Sequence, residues 1–270
     1  MGVTAALVLV ALLMLLVAPS VLSLGAWRVR LPRTALALWF GAFLAGCACA
    51  AASVGTAVVG ATVRPDGPAP TGVLVTLAAW LGLGLLGGVL ALVSVSAEPF
   101  SGLERRAAQA LSGPAATRQR RPGFTLVRFP AERPVACAVP GRHPEILVSS
   151  ALERLLSPPQ LQAVLAHERA HLRQRHAWAV RIAEVNALCL PRVLRAGDEL
   201  RRETRLLVEL AADDAAARDA GPAHLANALV RLGEATGDVG MVLRARRLEG
   251  RRWSPRRRLP AALAVWAAEA

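Results

Sequence analysis

A chain of 270 residues with 54% hydrophobic and 19% charged residues, a mean hydropathy of +0.41 and a formal net charge of +13 is too apolar for an ordinary soluble globule. It is also too basic for a simple membrane plug, and the balance excludes a secreted disulfide scaffold, a disordered tail protein and a freely soluble enzyme. The two properties separate along the chain: residues 1–100 hold four Arg and two acids, whereas residues 101–270 hold 28 Arg and 17 acids.

Three apolar stretches without a charged residue come first, at about Val3–Leu24, Ala35–Val63 and Gly72–Val95. Each reaches the ~20 residues that cross a hydrocarbon core as a helix. The first lacks the basic leading segment of a signal peptide and is followed by two further spans, so three transmembrane helices are expected over residues 1–97. Arg28, Arg30 and Arg33 fill the first loop, while the second holds Arg64 and Asp66. Short cytoplasmic loops collect positive charge, which places the N-terminus outside and everything after residue 96 in the cytoplasm. Gly41, Ala45, Gly46, Gly84 and Gly88 are small enough for close packing within this helical region. Cys47, Cys49, Cys137 and Cys189 have no paired spacing and are expected to be free thiols.

Residues 98–123 form a basic linker, rich in Gly, Pro and Arg towards its end. Strand character follows at Phe124–Phe129, Val135–Val139 and Ile146–Ser149, punctuated by prolines, and suggests a small antiparallel sheet. Ser157, Pro158 and Gln160 then make a helix start of the capping-box kind, with the helix expected to run past Arg181. Further helices are expected at about 198–220, stopped by Gly221-Pro222, and 223–235.

The first of these helices carries His167-Glu168-Arg169-Ala170-His171, an H-E-x-x-H pattern. Two imidazoles at i and i+4 share a helix face and can aim at one metal ion, with Glu168 beside them as general base. A chance match at this composition has an expectation of ~0.004. A catalytic zinc takes three protein ligands and keeps one open position. His176 fits no known extension of the pattern, because Gln174 and Ala177 stand where Gly and His would be needed. Glu209 is the better third ligand, flanked by Leu206, Leu207 and Leu210, with Asp213 one turn on to accept the outward N–H of a ligand histidine. With no Tyr in the chain, the oxyanion donor must be His or Arg, and His176, His224 and Arg218 are the candidates. An extended substrate could add to the strand around Ala136–Val139 or Ile146–Ser149.

Apolar spans, a basic segment with strands, HExxH and then ExxxD within about forty residues resemble the integral-membrane gluzincin peptidases of the BlaR/MecR antibiotic-sensor type. The chain is also similar to the related HtpX and CAAX-prenyl protease group, with Ala163–His171 and Val208–Ala216 carrying the likeness. The resemblance implies a mainly α, multi-pass membrane protein with a small α+β zincin-like domain at 124–242. It also implies one Zn2+ on His167, His171 and Glu209, Glu168 as base and Asp213 behind the ligands. The expected activity is a zinc metalloendopeptidase acting on a cytoplasmic or membrane-proximal protein, of the regulatory, repressor-cleaving type. The alternatives are HtpX-like quality control of membrane proteins and a catalytically idle membrane scaffold. BlaR-type sensors continue into an extracellular ligand-binding domain, whereas here only about ten apolar residues, Leu259–Ala268, follow; no β-lactam sensing is expected. Residues 243–270 read as an Arg-rich tail, with eight Arg against Glu249 over 244–258, expected to meet anionic inner-leaflet lipid rather than nucleic acid.

Overall fold

The computed structural model describes residues 2–22, 24–63, 116–189, 196–251 and 253, with scattered residues of 73–91. The chain divides into two compact units, one of residues 1–103 and 176–210, the other of 104–175 and 211–270. It is mostly helical, with a small sheet in the second unit.

In the first unit, helix α1 covers Gly2–Leu22, with a π-helical turn at Leu13–Val17. The short α2 (Trp27–Arg30) leads into α3 (Pro32–Val63). Uninterrupted apolar residues with almost no facing make α1 and the Pro32–Gly60 part of α3 long and apolar enough to cross a membrane. The third expected span, Gly72–Val95, lies largely outside the described residues. The small residues divide. A Cβ on Gly46 would stand 2.8 Å from Leu15 Cγ, so this glycine lets α1 and α3 approach, while a Cβ on Gly41, Gly84 or Gly88 would meet nothing within 4 Å. Gly82 serves instead, pressed against Val54 and Ser53. Thr4 and Thr56 hydroxyls meet at 3.0 Å and tie the far ends of the α1–α3 pair.

The same unit holds α6 (His176–Cys189) and the first part of α7 (Ala196–Ala220). Leu200 and Leu207 of α7 and Ala183 of α6 pack with Ala35 and Trp39 of α3, and Trp27 and Leu22 line the same cluster. Glu184 accepts from Arg205 at 2.6 Å, and Glu203 pairs with Arg28.

In the second unit four strands pair in the order β1-β2-β4-β3: β1 Thr117–Arg121, β2 Phe124–Phe129, β3 Ala136–Val139 and β4 Glu145–Ser149. The strands expected from the sequence are found within a residue, but the sheet is mixed: β2 and β4 run parallel, with Thr125 opposite Glu145 and Phe129 opposite Ser149. β1 overturns the linker reading of its stretch. Its side chains are nearly all exposed, so no hydropathic alternation marks it; a turn at Gly123 (φ 86°) folds it back antiparallel on β2. Alternation does mark the middle strands. Phe124, Leu126, Ile146 and Val148 face Leu152, Leu156, Val164, Ala228 and Leu232, while Val127, Phe129, Val139 and Leu147 fill the other side. The helices here are α4 (Ser150–Leu155), α5 (Pro158–Arg173), the end of α7, α8 (Pro222–Thr236) and α9 (Val239–Glu249).

Two further expectations are corrected. The HExxH helix does not run past Arg181: it stops at Arg173, and Arg175, at φ 53°, turns the chain into the separate α6. A non-glycine residue in the left-handed region leaves no Gly or Pro to announce the break. The segment from residue 243 is not a free tail either, since residues 239–249 are helical and pack on α8; residues 254–270, with Leu259–Ala268, lie outside the described residues.

Candidate metal centre

Helix α5 begins where Gln160 Oε1 accepts from the Ser157 backbone N–H at 3.0 Å and Pro158 takes the first helical position. Its buried stripe is Ala163, Val164, His167 and Ala170. The sequence period therefore turns His167 inward, and His171 follows one turn later on the same side. The two Nε2 atoms lie 3.0 Å apart, with the rings set edge to face at 65°.

Helix α7 supplies the rest. It carries Glu209 and, one turn further on, Asp213. His167, His171 and Glu209 each offer one ligand atom, all within 4.8 Å of one another. Small side chains permit this approach: Ala170 of α5 packs on Ala212 and Ala215 of α7, all three buried. A larger residue at Ala212 would separate the two helices that carry the ligands.

Asp213 is fully buried, and its Oδ1 lies 2.9 Å from His167 Nδ1. Arg244 of α9 donates to the same carboxylate from both ends of its guanidinium, Nε to Oδ2 at 2.8 Å and Nη2 to Oδ1 at 2.7 Å. Burial alone pushes the Asp213 carboxyl up; the hydrogen bonds from Arg244 and His167 outweigh it and hold the group well below the usual carboxylate range. An ionised Asp213 fixes the proton of His167 on Nδ1 and leaves a lone pair on Nε2, facing His171 Nε2 and Glu209. Two imidazole nitrogens and a carboxylate oxygen that converge in this way form a donor set that suits a borderline cation such as zinc. The residues present fit a metal ion.

Arg244 is the residue that sequence reasoning missed. Besides clamping Asp213, its Nη2 lies 3.5 Å from His167 Nε2, so the guanidinium sits at the edge of the ligand cluster. Of the three donors expected instead, His176 is buried at the start of α6, Arg218 is half-buried near the end of α7, and His224 is exposed on α8. Next to Asp213, the buried Asp214 takes Arg247 at 2.8 Å and Arg251 at 2.7 Å, and Arg251 stacks over Trp253. Arg244, Arg247 and Arg251 thus form one basic face of the α9 segment set against two consecutive aspartates of α7. The signal that could have found them is their i, i+3, i+7 spacing.

Of the two stretches expected to take an added peptide, one lies at an edge of the sheet. β4 is paired on both sides, which removes Ile146–Ser149 as an edge, and β3 lies at the edge of the sheet.

The sequence model of Peptidase family M48 matches residues 102–243, more than half of the chain. No curated protein and no solved structure gives a match.

Proposed function

The chain belongs to Peptidase family M48, and from that premise of a metal-dependent peptidase we propose that it is a membrane-anchored zinc metalloendopeptidase cleaving a cytoplasmic or membrane-proximal protein. One observation carries the reading: His167, His171 and Glu209 converge while Asp213 fixes the tautomer of His167. A scaffold protein has no use for such a set.

In this reading His167, His171 and Glu209 hold one Zn2+ per chain. When bound, the metal supplies Lewis-acid polarisation of the scissile carbonyl and acidifies a water. Glu168, adjacent to the first ligand on α5, takes the proton of the attacking water and returns it to the departing amine nitrogen. Arg244, held against Asp213, offers positive charge beside the site where the oxyanion develops. The edge strand β3 is where the substrate adds as a further strand in this reading.

The two apolar N-terminal helices support membrane anchoring, and Arg28, Arg30 and Arg33 in the loop between them support a cytoplasmic catalytic side with the N-terminus outside. The likeness to BlaR/MecR-type peptidases favours a regulatory substrate such as a repressor, with HtpX-like quality control as the alternative. Anionic lipid is the partner proposed for the arginines beyond residue 251.

The test is to purify the full chain in detergent, measure bound zinc and compare wild type with Glu168→Gln on a protein substrate. Zinc at about one per chain, hydrolysis by the wild type and none by the variant are expected. A folded sample that takes up no zinc sinks the proposal. Crosslinking the Glu168→Gln variant to its substrates in cells then separates one captured regulator from many membrane proteins.

A further inference from the structure

The second unit keeps its large apolar side chains inside, with two exceptions among its described residues: Val239 and Leu243 are 70% and 59% exposed. Both belong to α9 and stand one turn apart. Arg246, also exposed, continues the row, so the three follow at i, i+4 and i+7 on one side of the helix. That side lies opposite Ala245 and Leu248, which are buried with Ala216 of α7 and Leu225 and Leu229 of α8. The inward side of α9 is therefore already packed, and the exposed pair is not needed for its core. The acids of the segment are turned elsewhere. Asp238 Oδ1 accepts from the Gly240 backbone N–H at 2.8 Å, and Glu249 stands ~60° round the helix from Arg246.

The size and setting of the row decide its occupant. A stable protein–protein interface buries about 800 Å2 on each partner, and two aliphatic side chains supply a small part of that. A bilayer makes no such demand. Gly2–Leu22 and Pro32–Gly60 are long and apolar enough to cross a membrane, so lipid stands at high effective concentration for a unit tethered to them. A contact too weak to form from solution then forms. An arginine in line with exposed aliphatic side chains also has the composition of an interfacial helix face, with the aliphatic groups beneath the headgroups and the guanidinium among the phosphates.

We propose that Val239, Leu243 and Arg246 form a membrane-interface contact of the second unit, with an anionic lipid phosphate as the partner of Arg246. The proposal rests on the membrane-anchored reading above, and it concerns residues apart from the arginines beyond residue 251.

The experiment places the full chain in nanodiscs of phosphatidylcholine, with or without phosphatidylglycerol. The photoreactive residue p-benzoylphenylalanine replaces Val239 or Leu243 in turn, and the exposed Glu132 between β2 and β3 as a control. Irradiation followed by mass spectrometry reads what each position touches. Lipid adducts form at 239 and 243 and only at background level at 132. Phosphatidylglycerol raises the yield at 243 by up to about fivefold, the worth of one arginine near an anionic surface, and Arg246→Gln removes that rise. Yields at 239 and 243 no higher than at 132 overturn the proposal, as do adducts to a second copy of the chain in place of lipid. A rise that survives Arg246→Gln overturns the pairing of Arg246 with phosphate. A chain that does not enter the discs overturns the anchoring reading itself, whereas a chain held in the discs without lipid adducts at 239 and 243 overturns the α9 contact alone.

Discussion

Replacing Arg244 by Met keeps most of its apolar stem and removes the two charge-assisted hydrogen bonds, at 2.8 and 2.7 Å, that neutralise Asp213. The carboxylate has no exposure and would be left with His167 Nδ1–H alone. Breaking a buried pair by removing one partner costs about 3–5 kcal/mol, and Arg244, with 16% of its side chain exposed, is buried enough for that range. Asp213→Asn should cost a comparable amount, now through an uncompensated guanidinium. The double variant Asp213→Asn/Arg244→Met has no stranded charge, and its Asn carbonyl still accepts from His167. Its stability should return to within about 1–2 kcal/mol of wild type, since such pairs stabilise little against neutral replacements. Zinc binding should not return with it, because a carboxylate behind a ligand histidine raises the basicity of the imidazole and is worth about 10–100-fold in metal affinity. Denaturant unfolding of the metal-free protein in detergent reads the first quantity and chelator competition the second. An Arg244→Met variant within about 1 kcal/mol of wild type, or a double variant that recovers zinc affinity along with stability, would refute the argument.

Ala212→Leu inserts three carbons where α5 and α7 touch through alanines; unfolding should show a loss of about 1–3 kcal/mol, and zinc titration a weakened site, because Glu209 retreats with α7. Arg175→Gly relieves a left-handed residue at φ 53° and should leave thermal stability equal or slightly raised, whereas Arg175→Val should lower it by about 1–3 kcal/mol. Asp213, held low, contributes stability that is complete above its unfolded value near ~3.9 and is lost only as pH falls below that towards its folded value. Denaturant unfolding of the metal-free protein should therefore show this contribution undiminished at every pH above that unfolded value.

The parts of the molecule legible in the sequence are those with a strict period or a rigid local rule. Two of the apolar helices, the strands Phe124–Phe129 and Glu145–Ser149, and helices α7 and α8 fall where alternation, length and Gly-Pro stops place them. The convergence of His167 and His171 is readable because i, i+4 spacing is itself the geometry that brings them together. Glu209 was readable because an acid among leucines has to face something. What escaped was structure made without such marks. β1 is held by its backbone while most of its side chains are exposed, and Arg175 breaks a helix with a residue that favours no break.

The arginines after residue 243 escaped for a different reason, and it bears on the charge of the whole chain. In a composition they count as excess positive charge and point to an anionic surface. In the fold, Arg244 is spent on Asp213 and Arg247 with Arg251 on Asp214, two acids that are themselves buried. A buried acid and its arginine cancel for any outside partner, so the two aspartates remove two of these three positive charges from attraction at a distance. Their role is to bind α9 to the helix that carries Glu209, and the same helix is held at its other end by Arg28 on Glu203. Helix α7 thus carries arginine–carboxylate pairs both before and after Glu209.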